Sequence, residues 1–204
     1  MPNWCENTLL IRGLPEDIIK FATDNQDGPR ITSVPIPEGL VKGTKDPKTG
    51  TIIPLSFAQT APVPDGYYDD GRWHDWCAEH WGTKWDLDEE TRVRSNQGEL
   101  AFSFETKWLT YEFLTAWAPP AAWLATVAQK YPHLSVALKY KEEAMDFAGV
   151  VFCQGGTVQI DAELEVGEYD KDFAELLAED GFSLDEEEKV RVLQPRDELD
   201  KVSF

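Results

Sequence analysis

The stretch EHWGTKWDLDEE, residues 79–90, sets two indoles and an ammonium within five positions: Trp81, Lys84 and Trp85. Flat aromatic faces next to a cation suit a base, a nucleotide or another planar anionic ligand, and Arg12 offers a second positive group. The same stretch also reads as a corner. Trp81 would close a helix, Gly82 would take the left-handed cap, and Trp85 would open a strand. The flanking pattern favours the corner, with both tryptophans serving architecture. A second constellation is His74, Cys77 and His80, spaced three apart in WHDWCAEH. On a helix each step of three turns the side chain by about −60°, so the trio fans across one side. Zinc needs four ligands, or three and a water, and neither CxxC nor HExxH supports the trio. We therefore assign it to helix packing and expect no metal and no cofactor. There is no GxSxG and no glycine-rich phosphate loop, and no cysteine pairs with a histidine in a motif, so no catalytic residue is expected. The last constellation is acidic: Asp185, Glu186, Glu187 and Glu188, a solvated run suited to a basic partner.

Composition narrows the options. The 204 residues are 42% hydrophobic and include eight Trp, enough for a core. No apolar run is long enough to span a membrane, and the N-terminus MPNWCENTLL lacks the apolar stretch of a secretory signal. Three widely spaced cysteines, Cys5, Cys77 and Cys153, suit free thiols in a reducing bacterial cytoplasm. The net charge is −19, and residues 155–204 carry 16 acids against 5 bases. Such a field repels phosphate, so direct nucleic-acid binding is not expected.

The elements that must hold these residues follow from periodicity. WCENTLLIRG reads as a strand and LPEDIIKFATDN as a helix opened by Pro15, with Ile18, Ile19 and Ala22 as its stripe. Residues from about 25 to 83 form a long insertion rich in glycine and proline, with VPIP and TIIPLSF as apolar anchors and a helix after Gly71. TKWDLDEETRVRS and ELAFSFET read as strands, the second with Leu100, Phe102 and Phe104 inward. PPAAWLATVAQKYP is a helix, and LSVALKYK and FAGVVFCQ form a hairpin around EEAMD. TVQIDAELEV then alternates as an edge strand with an acidic face, and DKDFAELLAEDG is a short helix with Phe173, Leu176 and Leu177 inward. An echo, F-x-T-x-W, occurs at 104–108 and again at 113–117, leaving open whether 104–117 holds one strand or two.

With the insertion and the last strand removed, βαββαβ remains. This predicts an α+β, ferredoxin-like antiparallel sheet with two helices on one face. The expected division is 1–154 for that domain, with its insertion, and 155–204 for an acidic extension of strand, short helix and tail. Some members of this fold stack RNA bases on sheet aromatics, but QGELAFSF lacks the required pattern, and Phe102 and Phe104 read as core.

Four separated motifs, MPNWCENTLLIRG, HWGTKWD, TAWAPP and YPHLSVALKYKEEAMDFAG, resemble the YubB-like family of phage and plasmid proteins with a ferredoxin-like domain. The resemblance covers about residues 1–154. It implies a fold and a mobile-element provenance but no activity, and the matched positions Trp4, Asn7, Gly13, Trp81, Gly82, Trp85, Trp117 and Pro120 read as architecture. The expected function is a non-enzymatic accessory protein that binds and inhibits a host protein with a basic surface, such as a defence or nucleic-acid-handling factor. The alternative is a small-molecule or nucleotide binder that uses the insertion and the open sheet face.

Overall fold

A computed structural model of the chain describes residues 3–27, 45–46, 50–51, 53–88, 90–99 and 103–178. Its elements in chain order are β1 (Trp4–Arg12), α1 (Pro15–Asn25), β2 (Lys45–Asp46), β3 (Gly50–Thr51), α2 (Phe57–Thr60), α3 (Tyr67–Asp70), α4 (Trp73–His80), β4 (Arg92–Ser95), β5 (Gly98–Glu99), β6 (Trp108–Ala116), α5 (Ala121–Lys130), β7 (Ser135–Glu142), β8 (Phe147–Gln154), β9 (Thr157–Leu164), a 3-10 turn (Val166–Glu168) and α6 (Phe173–Ala178). Seven strands form one antiparallel sheet in the order β5-β4-β6-β1-β7-β8-β9. At its centre, β4-β6-β1-β7 is the strand order that two βαβ halves, one on α1 and one on α5, must produce. The sheet then grows past β7 by the β8 hairpin and by β9.

Strand alternation sorts the side chains between two faces. Leu9, Ile11, Tyr111, Phe113, Val136, Leu138, Val151 and Cys153 point to one face, where α1, α2, α4 and α5 close the main core with Phe21, Phe57, Trp81 and Trp123. The anchors Leu55 and Phe57 of TIIPLSF are fully buried in it. Leu10, Trp108, Ala137, Val150, Phe152 and Ile160 point the other way and are covered by Phe173, Ala174 and Leu177 of α6. Chain beyond residue 154 thus supplies the last strand and the helix that packs on the second face. Lys139 fastens it. Its ammonium is buried and donates to the carbonyls of Tyr169 and Lys171, both at 3.0 Å. The hydroxyls of Tyr169 and Thr8 lie 3.1 Å apart.

Two expectations need correction, and one open question closes. The strand expected over residues 83–95 is confined to Arg92–Ser95. Residues 82–88 are bends and coil because Asp86 is drawn inward. Its carboxylate accepts from the Phe57, Ala58 and Leu87 N–H groups at 2.6, 3.1 and 2.8 Å and from the Ser56 hydroxyl at 2.7 Å, so it caps α2 from outside. Phe104, expected in a strand and in the core, sits in a turn and is 77% exposed; Phe102 lies outside the described residues. The turn is set by Asn96, whose amide donates to the Glu105 carbonyl at 3.0 Å and accepts from the Lys107 N–H at 2.7 Å. Finally, 104–117 holds one strand, β6. One F-x-T-x-W copy leads into it and the other closes it. VPIP and the acidic run Asp185–Glu188 lie outside the described residues.

Candidate interaction site

The N-terminus of β1 and the C-terminus of β6 lie side by side, with Trp4 opposite Ala116. Immediately after Ala116 the chain reverses. The Ala118 N–H donates to the Ala116 carbonyl at 2.9 Å, and Trp117 between them has φ +65°. An i→i+2 bond about a positive φ is the rare, strained form of the γ-turn, and a bulky residue there is an outlier. The surroundings enforce it. Trp117 N–H donates to the Asn3 carbonyl at 2.9 Å. Thr115 Oγ1 donates to the Ala118 carbonyl at 2.8 Å and accepts from buried Asn7 Nδ2 at 2.8 Å. Asn7 Nδ2 also donates to the Cys5 carbonyl at 2.9 Å.

The 82–85 loop docks against this turn. Thr83 is buried and its hydroxyl donates to the Ala116 carbonyl at 3.1 Å. Gly82 has φ +87°, and a Cβ built there would lie 2.8 Å from the Pro119 carbonyl oxygen, so only glycine admits this approach. Together the three segments bring Trp4, Trp85 and Trp117 into a row at the end of the sheet. Centroids are 6.3 Å apart for Trp4–Trp85 and 5.9 Å for Trp85–Trp117, with the planes tilted by 46° and 33°. The Lys84 ammonium sits 5.0 Å from the centroids of both Trp85 and Trp117. All three indoles are open to solvent, at 49%, 38% and 47% exposure, and exposed Leu114 lies two residues before Ala116 on β6, opposite Glu6.

Of the four residues singled out for ligand contact, Lys84 and Trp85 meet here. The other two do not. Trp81 is 1% exposed, packs on Phe57 and Trp76, and donates its indole N–H to the Ala61 carbonyl at 2.8 Å. Arg12 ends the strand that Trp4 begins, about 26 Å away at the usual rise per residue. Trp85 is therefore not the core residue that the corner reading made it; its ring stands outside while Trp81 fills the interior. Sequence reasoning missed Trp4 and Trp117 as partners of Trp85. The signal available was the strand register, which sets residue 4 against the end of β6, and that register needs the β1–β6 pairing to be known.

The histidine–cysteine trio does not converge. Cys77 is buried, His80 stacks on Trp76 with centroids 4.3 Å apart, and His74 lies 3.3 Å from Asp75. Among the described residues no group of three His, Cys, Asp or Glu is placed to hold a metal. Burial pushes the thiols up, Cys5 to about 12 and Cys77 and Cys153 to about 11, away from the thiolate a nucleophile requires. Among the described residues no helix is long and apolar enough to cross a membrane.

Comparison with known proteins supports the architecture. Residues 109–191 match the family described as "Ferredoxin-like domain in Api92-like protein", a segment that begins in β6 and continues past the end of α6. The fold is ferredoxin-like. A solved protein, api92 from Yersinia pseudotuberculosis, is similar at 13% identity and a TM-score of 0.46, over 58% of this chain and 42% of that one. The chain thus spans less than half the length of that protein. No curated protein matches its sequence.

Proposed function

We propose that this protein is a non-enzymatic accessory factor of a phage or plasmid that binds and inhibits a host protein, and that it docks through Trp4, Trp85, Trp117 and Leu114. The observation that carries this reading is the row of three exposed indoles, one of them, Trp117, held on a strained turn. Tryptophan dominates the energy of protein interfaces, and three together on a strand end and two braced loops are rigid before a partner arrives. Backbone strain of this kind persists where the surroundings over-determine it, which fits a side chain fixed for contact. The mobile-element provenance rests on the YubB-like resemblance, and inhibition of a defence or nucleic-acid-handling factor follows from charge. At −19 the chain attracts basic surfaces, and an acidic protein can occupy a site that otherwise holds phosphates. Asp185, Glu186, Glu187 and Glu188 belong to this steering role.

The test is capture from a bacterial host lysate at low and raised salt, followed by reconstitution with the purified partner. The wild type should retain a partner that salt weakens, while a Trp85→Ala/Trp117→Ala variant with an unchanged fold should lose it. Equal retention by both proteins, or no partner at low salt, defeats the reading. A nucleotide or other small ligand on the same indoles is the competing outcome. It would appear as a thermal shift with that ligand alone, abolished by the same substitutions.

A further inference from the structure

The Trp85–Trp117 pair is already engaged by a cation of the chain itself. Two indoles 5.9 Å apart and tilted by 33° form a wedge, and the Lys84 ammonium sits 5.0 Å from both centroids. Indole faces are the best of the side-chain rings at attracting a cation. Among the described residues Lys84 makes no ion pair and no hydrogen bond, so the two rings are what hold its ammonium. Trp4 flanks the wedge at 6.3 Å from Trp85, and Glu6 follows two residues along β1 on the same face as Trp4.

We propose that the mouth of the Trp85–Trp117 wedge is a cation site, that Lys84 occupies it in the free protein, and that an arginine of a basic partner displaces Lys84 on docking. The proposal rests on the docking reading above and names the chemistry of its contact. Arginine fits better than lysine because its guanidinium is planar and less strongly hydrated, so it can lie flat on an exposed indole face where an ammonium makes only a point contact. The partner is basic because the chain's acid surplus draws such a surface in. Self-occupation by Lys84 then acts as a competitor. It lowers the apparent affinity by the fraction of molecules whose wedge is filled.

The experiment uses the full chain, 15N-labelled, titrated with a short capped peptide of alternating arginine and glycine. Matched peptides carry lysine or uncharged citrulline instead. Indole N–H resonances report on each of the eight tryptophans separately, with Trp85→Phe and Trp117→Phe giving the assignments. The arginine peptide should shift the Trp85 and Trp117 signals and leave buried Trp81 and Trp123 unmoved. The lysine peptide should bind more weakly, and citrulline should cause no shift. Lys84→Met should tighten arginine-peptide binding by about five-fold, while Lys84→Arg should not. Equal shifts by arginine and citrulline peptides, no shift by either, or weaker binding by Lys84→Met overturns the proposal. Loss of a captured partner by the Trp85→Ala/Trp117→Ala protein, with the arginine peptide silent, leaves docking standing and removes the cation site. The reverse pattern removes docking by a host protein and keeps the site.

Discussion

At the residue scale, the two tryptophans of residues 79–90, Trp81 and Trp85, divide by burial. Trp81 is enclosed, so Trp81→Ala should cost about 3–5 kcal/mol in a denaturant titration. Trp85 is 38% exposed and loses its ring contacts with Trp4 and Trp117 and the Lys84 ammonium over its face, so Trp85→Ala should cost roughly 1 kcal/mol. A loss for Trp85 as large as that for Trp81 would return it to the core and weaken the docking reading. Trp117 allows a sharper comparison. Its positive φ suits glycine, so Trp117→Gly should be more stable than Trp117→Ala by about 1 kcal/mol although it removes more side chain. If alanine proves the more stable, the γ-turn does not carry strain.

At the element scale, α6 is seated on the second face by Phe173, Ala174 and Leu177, and Lys139, with the Thr8–Tyr169 hydroxyl pair, ties down the chain leading into it. Replacing Lys139 with Ala removes both donations to the Tyr169 and Lys171 carbonyls. Hydrogen exchange should then speed up in α6 and β9 while α5, closed into the main core, keeps its protection. Uniform acceleration across both faces would show that the second face is not a separable layer. Much of this arrangement is legible in the sequence. Pro15 before an apolar stripe, the paired prolines before Trp123 and the alternation of β7, β8 and β9 each state an element locally, and the βαββαβ order states the sheet. The site is less legible. Asp86 reads as one acid in an acidic run, yet its carboxylate caps a helix about thirty residues earlier, and nothing local distinguishes it from Asp88. Trp4, Trp85 and Trp117 are remote in the chain and meet only through the β1–β6 register and the docking of Thr83 on Ala116. Phe104 fails for the related reason that an Asn96 turn overrides an alternating pattern.

At the scale of the whole molecule, buried acids that stay neutral set the alkaline limit. Burial raises Cys5 from 9.0 to about 12, Cys77 and Cys153 from 9.0 to about 11, and Tyr169 from 10.0 to about 12. In each the folded value lies above the unfolded one. Their contribution is therefore complete below pH 9 and is lost as pH climbs from 9 through 11 to 12. Lys139 works in the opposite sense. Burial lowers its value below 10.5, so the cost of enclosing its ammonium lifts as it loses its proton, offsetting part of the fall. Unfolding midpoints measured across this range should stay level to pH 9 with respect to these groups and then drop, and a thiol reagent at neutral pH should find all three cysteines silent until the chain unfolds. A cysteine that reacts in the native protein would contradict the packing at that position.

The central claim is that the exposed indole row is where a partner sits. Oxidative footprinting of tryptophan, with and without the purified host partner, tests it most directly. Trp4, Trp85 and Trp117 should react readily in the free protein and become protected in the complex, while Trp81 and Trp123 stay unreactive in both. A complex that forms with Trp4, Trp85 and Trp117 as reactive as before would place the interface elsewhere and contradict the account.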